Sequence, residues 1–158
     1  MNLKAKAVTQ AGFSLVEVMI AVFVLAIGLL GAAGMQLSAL KYTDSSRMNS
    51  QASFIVYDII DRMRANADPI QLEQYEIANL SQVPSAAASI SARDLMDFSD
   101  NLEMLPEAEA RIIVDGAQVA VTISWSEARA GGTDEDGQAR TGSFAVTTNV
   151  SVIAPGGP

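Results

Sequence analysis

The chain has 158 residues, ten of them basic and eighteen acidic, for a formal net charge of −8. It contains no histidine and no cysteine, which excludes disulfides, thiolate and imidazole catalysis, histidine-dependent nucleophilic triads and the common zinc sites. The acidic balance repels nucleic-acid backbones and anionic headgroups, so no direct nucleic-acid binding is expected.

Residues 1–12, MNLKAKAVTQAG, carry Lys4 and Lys6 and no other charge. The next stretch, 13–40, holds a single charge, Glu17. Residues 13–35 number 23 and would extend about 34 Å as a helix, enough for a hydrocarbon core about 30 Å thick. A buried helix of a globular protein rarely lacks a polar face over such a length. Basic residues beside a span stay cytoplasmic, so Lys4 and Lys6 favour an N-in, C-out orientation. The bias is slight, because Lys41 and Arg47 lie on the other flank.

Three readings compete for this segment. A cleaved secretory signal would use Gly31-Ala32-Ala33 or Leu37-Ser38-Ala39 as its small-residue site. A plain membrane anchor is the second. Neither explains why Gly12-Phe13 begins the apolar run, or why Glu17 sits five residues into it. The third is a resemblance. Gly12-Phe13-Ser14-Leu15-Val16-Glu17-Val18 resembles the prepilin peptidase site of type IV pilins and type II secretion pseudopilins. In that family a membrane aspartyl protease cuts after the glycine and methylates the new N-terminus. The resemblance implies cleavage between Gly12 and Phe13 and N-methylation of Phe13. Ala11 departs from the family, where a basic residue often precedes the glycine. The segment 26–36, AIGLLGAAGMQ, is similar to minor pilins of the type IV pilus modification protein PilV group. That similarity covers roughly residues 10–65; beyond it only the layout is alike.

A carboxylate near the bilayer is costly and reads as functional. Glu17 lies four residues after Phe13, on the same helical face as the α-amine that cleavage would create. One reading keeps Glu17 at the wet interface, favoured by the helix N-terminus. In the family the glutamate is thought to pair with the N-terminal amine of a neighbouring subunit while the apolar helices bundle, and the surrounding motif favours this assembly role. Gly28, Gly31 and Gly34 recur every third residue. They either allow close helix packing and local loosening or reflect the frequency of glycine in membrane spans.

The helix is expected to continue past the membrane. Met48, Ala52, Ile55, Ile59 and Met63, widened by Val56 and Ile60, form an apolar stripe at helical spacing. Asp68-Pro69 marks its stop, giving one helix over about 13–67. Residues 70–90 read as an irregular connector with one short helical turn. Ser91-Ala92-Arg93-Asp94 resembles a capping box, followed by an amphipathic helix through Leu95, Phe98, Leu102 and Leu105 that ends near Pro106. The strand 111–114 leads into Asp115-Gly116, a two-residue hairpin signal. Val119, Val121, Ile123 and Trp125 alternate with smaller residues. So do Phe144, Val146, Thr148, Val150 and Val152 in a later strand. Trp125 is expected in the core, and the tail 155–158 is expected to fray.

The acidic loop Asp134-Glu135-Asp136-Gly137 fails the EF-hand spacing, because position six would be Ala139 and position twelve Ala145. A looser calcium site in 131–137 and a solvated loop both remain open. The chain therefore reads as a non-enzyme, with no cofactor or metal, that is a substrate of the prepilin peptidase and N-methyltransferase. The expected fold is α+β and type IV pilin-like, with one long N-terminal helix on a small antiparallel sheet. The expected divisions are a cleaved cytoplasmic leader, 1–12; a transmembrane and assembly half, 13–40; and a periplasmic head, 41–158. The resemblance implies a minor pilin of the bacterial inner membrane that enters a pilus and serves twitching motility. Its partners would be other minor pilins, the major pilin, the prepilin peptidase and the inner-membrane assembly platform. The alternatives are a type II secretion pseudopilin and a periplasmic binding domain behind an ordinary signal.

Overall fold

The computed structural model describes residues 12–128 and 136–150. Residues 1–11, most of the acidic loop and the tail from 151, including Val152, lie outside the described residues. The chain divides into two units at Ala39 and Leu40.

A single helix, α1 (Leu15–Ala65), runs through both units. In the first unit every described residue is exposed. The helix is long and apolar enough to cross a membrane by length and composition. In the second unit α1 becomes amphipathic. Met48, Ala52, Ile55, Val56, Ile59, Ile60 and Met63 are buried, the same seven positions that the helical spacing picks out. Each fully buried aliphatic side chain contributes about 1.5–3 kcal/mol, so this stripe is the main anchor of the head.

The stop at Asp68-Pro69 is also a start. Asp68 caps a short helix, α2 (Pro69–Glu73), by accepting a hydrogen bond from the Ile70 amide at 2.9 Å. The connector thus holds two short helical pieces where one was expected: α2 and a 3₁₀ turn, Leu80–Gln82. Between them Ile77 forms an isolated antiparallel bridge to Ile112.

Helix α3 (Ile90–Leu102) begins two residues earlier than the expected capping box. Ser89 is the cap, and its hydroxyl accepts from the Ala92 amide at 3.0 Å. Ser91 is buried instead, and its hydroxyl donates to Gln74 Oε1 at 2.8 Å. Asp94 does not turn back to a backbone amide at the helix start. It stands four residues before Phe98 and eight before Leu102, on the buried stripe of α3.

Three strands follow: β1 (Glu109–Asp115), β2 (Gln118–Ser126) and β3 (Thr141–Asn149). They form an antiparallel sheet in the order β1-β2-β3. The hairpin turn is one residue later than the sequence suggests. Asp115 pairs with Gln118, which leaves Gly116-Ala117 as the loop. Gly116 takes φ +57 and no positive φ falls on Ala117, the φ pattern of a type II′ turn rather than one centred on Asp115-Gly116. One face of the sheet carries Ala110, Ile112, Val119, Val121, Ile123 and Trp125, all buried in one cluster with the α1 stripe, Leu95, Phe98 and Leu102. The strand alternation therefore reads correctly. On β3, however, Phe144 and Val146 are only half-buried. Val150 is buried, and its amide donates to Ala117 O at 2.8 Å.

Candidate processing and assembly site

Gly12, Phe13 and Ser14 precede the first helical turn and have no regular structure. The Ser14 carbonyl accepts from the amides of Glu17 at 3.0 Å and Val18 at 3.2 Å, which starts the α1 hydrogen-bond ladder. The Gly12–Phe13 peptide bond therefore lies just outside the helix. Phe13 is 84% exposed, and a side chain added at Gly12 would meet open space. An exposed, non-helical bond is one a protease can take in extended form.

Glu17 falls in the first turn of α1, where the positive end of the helix dipole favours a carboxylate. Phe13, Glu17, Val18, Ala21, Val22 and Leu25 line one shallow, mostly apolar depression. The structure thus brings Phe13 and Glu17 onto one face. The only charge in the stretch 13–40 sits there, beside the residue that cleavage would make N-terminal.

Gly28, Gly31 and Gly34 lie within α1, and an added side chain at each would meet nothing within 4 Å. Among the described residues no packing requires them. Ser38 donates from its hydroxyl to the Gly34 carbonyl at 3.1 Å, a back-bond to position i−4 of the kind that bends helices. Among the described residues no group of three or more His, Cys, Asp or Glu is placed to hold a metal ion. The acidic loop lies largely outside those residues.

The polar feature that the sequence did not reveal lies in the head. Arg62 donates to Asp97 at 2.8 Å, Asp94 at 3.2 Å and Asp58 at 2.9 Å. Its pKa is held above the ordinary value by the Asp97 carboxylate first, and then by Asp94 and Asp58 against the opposing effect of burial. Asp94 also accepts from the buried Tyr75 hydroxyl at 2.5 Å, and Asn66 Nδ2 donates to Tyr75 Oη at 3.3 Å. Burial, reinforced by Asp94, raises the phenol above its ordinary value. This network ties the end of α1 to α3 and to the segment after α2. Its readable signal was the position of Asp94 on the apolar stripe of α3, where an acidic residue needs a partner.

A long apolar N-terminal helix followed by a small three-stranded antiparallel sheet is an α+β, type IV pilin-like arrangement. Residues 8–33 match the family model described as the prokaryotic N-terminal methylation motif. The match encloses Gly12, Phe13, Glu17, Gly28 and Gly31, and supports a pilin-like or pseudopilin substrate of a prepilin peptidase. The same motif and the apolar part of α1 fit membrane anchoring. No curated protein and no solved structure matches the chain.

Proposed function

We propose that this chain is a minor pilin that helps initiate or modify a type IV pilus. The observation that carries the reading is the shared face of Phe13 and Glu17, at the start of an apolar helix and within the matched motif. Residues 1–12 are the cytoplasmic leader, cleaved between Gly12 and Phe13. Residues 13–40 anchor the subunit N-in, C-out in the bacterial inner membrane and assemble it, and residues 41–158 form the periplasmic head. The new Phe13 amine has an ordinary pKa of about 7.7–8.0 and is largely cationic at neutral pH. Glu17 of one subunit pairs with that amine on a neighbour. The pair is strong in low dielectric only when its geometry offsets desolvation, so it forms when the helices align in register. Gly28, Gly31 and Gly34 let those helices approach closely. The partners are other minor pilins, the major pilin, the prepilin peptidase and the inner-membrane assembly platform.

Mass spectrometry of the mature N-terminus tests the processing, with N-methylated Phe13 as the expected result. A start near Gly34 or Leu40 would instead identify an ordinary signal. Deletion of the chain, scored for surface pili against protein secretion, tests the pathway. Loss of secretion with pili intact would assign the chain to type II secretion.

A further inference from the structure

Among the described residues, the outer edge of β1 is paired at one point only. Ile77 and Ile112 exchange both backbone hydrogen bonds, at 3.1 and 2.9 Å. The Ile112 N–H and C=O are therefore turned away from β2, and alternation along an antiparallel pair turns those of Ala110 the same way. A continued ladder would set Asn79 opposite Ala110. Instead the chain peels off after Ile77. The Ala78 amide donates to Gln82 Oε1, and Asn79 caps the 3₁₀ turn Leu80–Gln82. Among the described residues the N–H and C=O of Ala110 are left without a partner. The gap is one residue pair long. The Ile77 bridge closes one end, and the left-handed turn at Glu107, φ 49, precedes the strand at the other.

A cleft of about 470 Å³ opens at this gap, a size that suits a small molecule. Asn79, Leu80 and Ser81 line one side, and the cleft extends onto the solvent face of the sheet over Thr122 and Ser124. Glu109 and Arg111 border it on that face, as cross-strand neighbours of Ser124 and Thr122. Both are exposed, and neither forms an ion pair among the described residues. They stand about 7 Å apart along the strand, at about 3.3 Å per residue. The cleft thus offers an anion, a cation and, between them, one backbone donor and one backbone acceptor.

We infer that this cleft binds a short zwitterionic peptide, about three residues long with both termini free. An open N–H and C=O pair on a strand edge matches another peptide backbone. With the peptide laid parallel to β1, the C=O of its first residue accepts from the Ala110 N–H. The N–H of its third residue donates to the Ala110 C=O. Its ammonium then lies at the Glu109 end and its carboxylate at the Arg111 end, where a guanidinium can take a carboxylate in bidentate form. The opposite alignment would bring the carboxylate to Glu109. Three extended residues span at most about 11 Å, a length that two long exposed side chains can bracket. Small side chains suit the apolar lining at Ala78, Leu80 and Ala108. A longer strand gains no further ladder bond, since Ile77 already occupies the next position.

Calorimetric titration of the detergent-solubilised full-length chain with trialanine at neutral pH tests the inference. The expected result is saturable one-to-one binding. Amidation of the peptide carboxylate and Arg111→Gln each weaken it about fivefold, as do acetylation of the peptide amine and Glu109→Gln. The losses pair up. Glu109→Gln binds free and acetylated peptide alike, and Arg111→Gln binds free and amidated peptide alike. Both substitutions fall at exposed positions, so an unchanged Trp125 emission and unfolding midpoint show that the fold is intact. No saturable binding at millimolar peptide, equal binding of free and capped peptides, or binding that survives both substitutions unchanged would each overturn the inference.

Discussion

The Trp125 indole lies directly over Gly142 across the β2–β3 pair. A methyl group at 142 would sit 2.5 Å from both Cε2 and Nε1 of the ring. Trp125 is buried, and its Nε1 has no hydrogen-bond partner among the described residues. Glycine at this position is a packing requirement of the indole.

Gly142→Ala should therefore displace the ring rather than fill a void. Overpacking of this kind costs roughly 1–3 kcal/mol. Trp125 is the single tryptophan of the chain, so its fluorescence reports the site directly. The expected outcome is a lower denaturation midpoint and a red-shifted native emission. An unchanged spectrum and midpoint would show that the indole does not occupy this position.

Ser89 and Ser91 should separate by mutation. Ser89→Ala removes the α3 cap and is expected to cost about 1 kcal/mol. Ser91→Ala removes the hydroxyl that reaches Gln74 but leaves the cap in place. Far-ultraviolet circular dichroism during thermal unfolding should show early fraying of α3 only in the Ser89 variant. The opposite order would restore the capping box at Ser91.

Tyr75 makes stability sensitive to alkali. Its phenol is protonated in both folded and unfolded states below its ordinary pKa of about 10. The folded value is raised, so above that pH the unfolded chain ionises first and the native state loses stability as pH climbs toward the folded value. Tyr75→Phe should flatten this slope. At neutral pH it should cost about 1–2 kcal/mol, because the hydrogen bonds to Asp94 and Asn66 are lost. Urea midpoints of the detergent-solubilised chain at pH 7 and above pH 10 check both effects. An equal alkaline slope in the two proteins would remove Tyr75 as its source.

Glu17→Ala is expected to insert and to be cleaved normally, because the Gly12–Phe13 bond and the apolar stretch are untouched. Its incorporation into pili should fall, since a neighbour's amine would then enter low dielectric without its anion. Immunoblots of membrane and sheared-pilus fractions measure the two steps separately. Normal incorporation would leave Glu17 as a helix-dipole partner only.

Local periodicity made much of this protein legible. The 3.6-residue stripe from Met48 to Met63 identified the buried face of α1, because a helix has only one way to present those positions together. Alternation placed Val119, Val121, Ile123 and Trp125 on one sheet face for the same kind of reason. The candidate processing site was legible because its residues are contiguous and an uninterrupted apolar run leaves one charge conspicuous. Competition between nearby polar groups was less readable. Ser89 and Ser91 both could cap α3, and the choice turned on Gln74, seventeen residues before Ser91.

The sequence by itself determined the membrane-length helix, the processing motif and the inward face of each long element, since each is written in the spacing of neighbouring residues. Only the tertiary structure decided that Asp94 meets Arg62 and Tyr75, that Trp125 lies on Gly142, and that β3 stands at an edge. The contacts of Asp94 and Trp125 join residues 17 to 32 positions apart, and pattern along the chain does not encode which distant partner satisfies a buried charge or fills a gap.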